Sequence, residues 1–159
     1  MKYSQSKSIL AAGFFISLTL MFVLIQSCEK ENENESKISS NGSGESHHTG
    51  IDCMSCHKQG GSGEGWFNIA GTVYESTKTS GYPNASVKLY TGPNGTGTLK
   101  YTIQVDALGN FYTTDNIDFG SGLYVAVQGN TLTKNMSSAV TAGQCNSCHG
   151  VSTDKIWTN

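Results

Sequence analysis

Three features of the chain predict a mainly β protein, a small antiparallel β-sandwich flanked by two short segments bearing cysteine and histidine. Apolar residues alternate at period two from Trp66 to about Ser138, which puts each set on one face of a strand. Turn signals separate the alternating runs. Glycine reaches 19 residues, Ser, Thr and Asn are abundant, and Pro83 and Pro93 are the sole prolines. Gly and Asn supply the positive φ that tight turns need, so this composition suits short strands better than helices.

Phe67, Ile69, Gly71 and Val73 form the first alternating set. Val87 with Leu89, Ile103 with Val105, and Leu123 with Val125 and Val127 continue the pattern. Gly81-Tyr82-Pro83-Asn84, Gly92-Pro93-Asn94-Gly95, Leu108-Gly109-Asn110 and Gly129-Asn130 fall between the sets. Strands are expected near 67–75, 85–91, 98–105, 110–114, 122–128 and 131–136, within a sandwich spanning 66–138. Antiparallel strands reverse direction each time, so an even count of six brings both flanking segments to one end. A seventh strand around 138–142 would send them to opposite ends, about 20 Å apart for a six-residue strand. The succession AGTVYES, PNASVKLYTG, TIQVDALGNFYTT and GLYVAVQG resembles the prealbumin-like, carboxypeptidase-regulatory-like sandwich domains of secreted proteins. That resemblance implies a fold and a spacer or adhesion role. The stretch holds no His and no Cys, and its acids Glu75, Asp106, Asp115 and Asp118 sit at strand ends and turns, so no hydrolase site is read from it.

Residues 1–27 begin with Lys2 and Lys7 and continue through an uncharged run, Ile9 to Ile25. A basic start followed by an apolar run reads as a secretory signal. The run ends at Ile25-Gln26-Ser27-Cys28, which resembles a bacterial lipoprotein signal; that resemblance implies lipidation of Cys28 and a membrane anchor. An uncleaved span is the other reading, at the short limit of bilayer thickness. Either way the remainder lies outside the cytoplasm, and the lipoprotein reading places it on the outer membrane, facing the periplasm or the cell surface. Residues 28–50 are expected to form the anchor and a flexible tether, because EKENENESKISSNGSGESHHTG offers no apolar face to bury. As a free coil these 22 residues would span roughly 25 Å.

Basic charge is entirely lysine, with no arginine. Nucleic-acid sites favour the planar Arg fork on a clustered basic face, so a nucleic-acid partner is excluded. Without residues 1–27, eight lysines face 12 acids. A net charge of −4 suits a basic or neutral partner.

Chemistry concentrates in two copies of Cys-x-x-Cys-His, in the segments 51–65 and 139–159. They are Cys53-Met54-Ser55-Cys56-His57 and Cys145-Asn146-Ser147-Cys148-His149. This pattern marks c-type haem attachment. Thiols three positions apart can reach the two vinyl groups of one porphyrin, and the adjacent imidazole then meets the iron from one side. Two copies use four of the five cysteines, and Cys28 accounts for the fifth. Disulfides within each motif, or one zinc held by four thiols, are the alternatives; neither explains why histidine follows at once in both copies. The whole-chain plan resembles envelope multihaem proteins in which such motifs bracket a sandwich. The resemblance implies two covalent haems c, with His57 and His149 as proximal iron ligands and Cys53, Cys56, Cys145 and Cys148 as thioether anchors.

Candidates for the sixth iron ligand are His47, His48 and Met136. Met54 sits inside a motif and is poorly placed to reach round to its own iron. Bis-His ligation lowers the reduction potential relative to His/Met, so the choice has functional weight. The expected function is electron transfer between redox proteins of the envelope, with no catalytic site in the chain itself. A non-redox binding or adhesion lipoprotein stapled by disulfides is the alternative, and a haem gas sensor with one five-coordinate iron is a third.

Overall fold

In residues 34–159, which a computed structural model describes, eight strands form two four-stranded sheets. The signal over 1–27 and the candidate lipidation site Cys28 lie outside the described residues. No helix among the described residues is long and apolar enough to cross a membrane. The strands are β1 (Ile69–Tyr74), β2 (Ser86–Tyr90), β3 (Leu99–Gln104), β4 (Asn110–Thr113), β5 (Tyr124–Gln128), β6 (Thr133–Asn135), β7 (Gly143–Gln144) and β8 (Ile156–Trp157). The first six fall inside the six expected ranges, shorter by one or two residues at most ends.

One sheet runs β3-β2-β5-β6, antiparallel throughout. Its inward stripe follows from the register: Val87 opposes Ile103 and Val127, and Leu89 opposes Tyr101 and Val125. Facing β-branched and aromatic side chains across strands is the unit of sheet stabilisation. In the other sheet β1 pairs antiparallel with β4 along one edge. On its other edge it pairs in parallel with β7 at Ile69 and Ala70, and with β8 at Val73 and Tyr74. The mainly β sandwich is thus as expected, with two short parallel additions from the C-terminal segment. The core between the sheets comprises Ile69, Val73, Val87, Leu89, Ile103, Val105, Phe111, Leu123 and Val127, with Ala85 and Ile117.

All six residues of β1 are buried, on both faces. Ile69 and Val73 look into the core. A side chain at Gly71 would meet the Phe111 ring at 2.6 Å and Cys145 Cβ at 2.9 Å, so the chain places none there. The opposite face of β1 is covered by residues that sequence patterning assigned to a free tether. From Asn34 onward this segment is laid against the sheet instead. Ile38 bridges Thr113, the Ser39 amide donates to Tyr112 O at 2.9 Å, and Ser39 Oγ donates to Gln104 O at 2.6 Å. Asn34 exchanges hydrogen bonds with the Trp66 backbone, and Ser39 is buried. The physical reason is that β4 has an open edge whose backbone groups need partners. A polar segment can supply them without any apolar stripe, so hydropathy alone missed it.

The connection from β3 to β4, which crosses from one sheet to the other, turns on Asp106. Its Oδ1 accepts from the amides of Leu108 and Asn110, both at 2.9 Å, while Gly109 takes φ +86°. Asn110 and Tyr112 then point to the outer face of β4 and Phe111 to the core, which decides what each side of this sheet can bind.

Leu89 is fully buried in the inward stripe. Leu89→Ala should cost about 2–5 kcal/mol of unfolding free energy, read as a lower urea midpoint with unchanged slope.

Candidate functional site

The two Cys-x-x-Cys-His motifs adopt nearly the same local fold. Each begins with a 3-10 turn, Cys53–Ser55 and Cys145–Ser147. In the first, the amides of Cys56 and His57 donate to Cys53 O at 3.2 and 2.9 Å. In the second, those of Cys148 and His149 donate to Cys145 O at 3.3 and 3.0 Å. The third position is serine in both, and it does the same thing twice. Ser55 Oγ donates to Asp52 O at 2.7 Å, and Ser147 Oγ donates to Gln144 O at 2.6 Å. Side-chain bonds back to the preceding carbonyl hold the turn closed. The repeated Ser-Cys-His was visible in the sequence, although its role was not.

Both histidines are oriented through one ring nitrogen. His57 Nδ1 lies 2.9 Å from Glu64 O and 3.2 Å from Gly65 O. His149 Nδ1 lies 2.7 Å from Asp154 O. A carbonyl oxygen only accepts, so Nδ1 carries a proton, and in the neutral imidazole the lone pair then lies on Nε2. This is the arrangement that metal-binding histidine requires, with the second nitrogen fixing tautomer and ring orientation. Phe67 stacks on the His57 ring at 4.3 Å and 10°. The loop 58–65 wraps closely enough that a side chain at Gly63 would strike the His57 ring at 2.7 Å, which accounts for part of its glycine content.

Each motif faces its own pocket. The first pocket, about 730 Å³, is lined by Cys53, Cys56 and His57 with His47, His48, Phe67, Asn110 and Tyr112. The second, about 690 Å³, is lined by Cys145, Cys148 and His149 with Phe111, Val125, Val127, Met136 and Trp157. Alternation along β4 therefore sends Asn110 and Tyr112 to one pocket and Phe111 to the other, so the pockets lie on opposite faces of the β4–β1 pair. Both volumes fall in the range of roughly 300–1,000 Å³ usual for small-molecule and cofactor sites. The residues present fit a haem bound through two thiols and one imidazole: each pocket holds that donor set, with Nε2 free, beside apolar or aromatic walls. Of the two tryptophans beyond the motifs, Trp157 is a wall of the second pocket, whereas Trp66 is not among the residues lining the first.

The motif segments touch, though not because strand parity brings them to one end. They meet beside the middle of β1. Asn146, buried within the second motif, donates from Nδ2 to Ile51 O at 2.9 Å and to Thr72 Oγ1 at 3.1 Å, and its Oδ1 accepts from the Thr72 amide at 3.1 Å. Thr72 Oγ1 also accepts from the Gly50 amide at 2.9 Å and donates to Asn110 Oδ1 at 2.7 Å. Residues 50 and 51 lead into the first motif, so one asparagine fastens both motifs to one strand. Sequence reading missed Asn146 and Thr72, which look like ordinary polar residues until the fold buries them.

The four cysteines among the described residues are free; Cys56 and Cys148 are exposed. Burial pushes the Cys145 thiol up to about 12 and raises that of Cys53. Reactive Cys-x-x-Cys pairs and zinc sites need thiolates, which depressed pKa values favour. Here the first cysteine of each pair is shifted the other way. Among the described residues no three His, Cys, Asp or Glu side chains converge as a group that could hold a bare metal ion. No family model, curated protein or solved structure matches the chain.

Two outcomes follow. In chain produced without haem attachment, alkylation at pH 8 should label Cys56 and Cys148 well before Cys145. At that pH roughly one Cys145 in 10⁴ is thiolate, and its rate should climb about tenfold per pH unit until near 12. Asn146→Ala should strand the Thr72 amide and cost about 1–3 kcal/mol in denaturant unfolding.

Proposed function

We propose that this chain is an electron-transfer protein of the cell envelope that carries two covalent haems c, one in each pocket, and no catalytic site of its own. The observation that carries the reading is the pair of pinned imidazoles. In both motifs Nδ1–H is spent on a backbone carbonyl, and Nε2 stays free beside two thiols. A bound haem iron would supply one-electron chemistry there. The protein's part is to anchor and orient. Cys53 and Cys56 would hold the first haem by thioether bonds, and Cys145 and Cys148 the second. His57 and His149 would be the proximal ligands, held at one tautomer by the Glu64 and Asp154 carbonyls.

The walls serve the same end. Phe67 and Tyr112 stack at 4.8 Å beside the first site. Phe111, Val125 and Val127 give the second an apolar floor continuous with the core. The Asn146 clamp joins the two sites through one buried hydrogen-bond cluster, which suits a pair that exchanges electrons. Lipidation of Cys28 would keep the chain at a membrane surface, and its partners would be redox proteins of the same compartment.

Expression with a c-haem maturation system, followed by mass spectrometry and haem staining of the denatured chain, tests the proposal. The expected mass exceeds polypeptide plus lipid by two haems, and the colour stays with the polypeptide. Cys145→Ser combined with Cys148→Ser should leave one haem. A mass accounted for by amino acids and lipid alone defeats the reading.

A further inference from the structure

We propose that the two irons differ in their sixth ligand, His47 at the first centre and Met136 at the second, so that the second has the higher reduction potential. The inference rests on the haem reading above and assigns each pocket its own distal side chain.

The first pocket contains two histidines besides His57, and Met136 is not among its lining residues. The His47 ring centre lies 5.8 Å from that of His57. With imidazole nitrogens about 2 Å from a first-row metal ion, two rings on opposite sides of it stand roughly 6 Å apart. His48 is the weaker candidate, because the neighbouring ring it meets is His47, edge-on at 4.9 Å. His48 serves the turn instead: it takes φ +51°, and its carbonyl accepts from the Ile51 amide at 3.1 Å. Two further side chains of this pocket are engaged elsewhere. Lys37 pairs with Glu35 and Glu64, each at 3.3 Å, and Tyr112 is stacked on Phe67.

The second pocket has His149 as its sole lining histidine and Met136 as its sole lining methionine. Met136 follows β6 of one sheet, whereas His149 follows the turn after β7 of the other. Lys134 opposes Val127 in the β5–β6 ladder, and the Met136 amide donates to Val125 O at 2.8 Å. Period two then puts Lys134 and Met136 on the inward face with Val125 and Val127. The Lys134 ammonium stands 3.0 Å from the centre of the Trp157 ring, which places that face over the pocket. Lys155 donates to Lys78 O at 3.0 Å and covers Tyr74. Both lysines are occupied, and the Met136 thioether is the donor left.

Methionine opposite histidine raises the potential of a haem iron relative to two histidines. With haems bound, His57 and His47 would hold the centre that takes one electron from a reductant, and His149 and Met136 the centre that would then receive it. No bond is made or broken, and no proton moves. The Asn146 cluster lies between the two sites along this route.

The test uses the full chain with haem attached, checked first by haem staining. A chain without covalent haem overturns the function itself, and a haem-loaded chain then decides the ligands. Near-infrared magnetic circular dichroism of the oxidised protein should show one bis-imidazole and one imidazole–thioether centre, and redox titration should show two separate one-electron steps. Met136→Leu should abolish the thioether band and lower one potential while leaving the bis-imidazole band in place. Met136→His, a second variant should the first fold poorly, should convert that centre to bis-imidazole. His47→Ala should open the other centre to carbon monoxide, and His48→Ala should not. Identical ligand signatures at both centres, a thioether band that survives Met136→Leu, or an effect of His48→Ala in place of His47→Ala would overturn the assignment.

Discussion

Everything in this fold that bears on function depends on β1 being buried on both faces and paired on both edges. A central strand in a small sandwich ordinarily shows one face to the core and one to water, and its sequence alternates accordingly. Ile69–Tyr74 reads IAGTVY, with small or β-branched residues where an exposed strand would carry charge. The inward face joins the two sheets through Ile69 and Val73, and Gly71 leaves room for Phe111 and Cys145. The outward face accepts the chain on its way into the first motif. β7 and β8 close the second edge and deliver the second motif. Replacing Thr72 with an apolar residue of equal size would keep the strand and the Asn146 bonds to Ile51 O and the residue-72 amide, but it would strip the Gly50 amide and Asn110 Oδ1 of their hydroxyl partner, which in a buried setting costs more than the strand's own packing suggests.

Much of the fold was legible because period-two patterning is a local signal. Val87/Leu89, Ile103/Val105 and Val125/Val127 each announced a strand, and Gly-Asn and Pro-Asn pairs announced the turns. What sequence could not reveal was structure made by backbone pairing alone. Gly143–Gln144 and Ile156–Trp157 are strands of two residues, too short for any periodicity to register. Segment 34–50 carries no apolar stripe, and its docking rests on hydrogen bonds from Asn34, Ser39 and the Ile38 bridge rather than on area removed from water. For the same reason the count of strands was a poor guide to where the motifs lie. Parallel pairing of β7 with β1 sets their positions, and parity assumes antiparallel neighbours.

The candidate site divides in the same way. Cys53, Cys56, His57, Cys145, Cys148 and His149 were readable from spacing, because thiol and imidazole chemistry fixes which positions are needed. The residues that orient them were not. Glu64 and Asp154 act through backbone carbonyls, which any residue possesses. Asn146 acts through burial that only the folded chain creates. His47 and Met136 were candidates by elimination, and topology assigns them to different pockets, something no count of residues could do.

The two pockets differ in a way that bears on stability. The first lies on the outer face of its sheet, floored by Asn110 and Tyr112, and leaves the core intact whether or not a ligand is present. The second enters the gap between the sheets, where Phe111, Val125 and Val127 are at once core and pocket wall. Ligand binding there should contribute folding energy, because apolar surface facing the gap would leave water on occupation. Occupation of the first pocket should contribute mainly through its covalent and hydrogen-bonded attachments. The Asn146 cluster then makes the sites unequal but not independent: a second motif ordered by its ligand presents the carboxamide to Ile51 and Thr72, and so pre-forms the approach to the first. Order would spread from the site that completes the core to the site that rests on it.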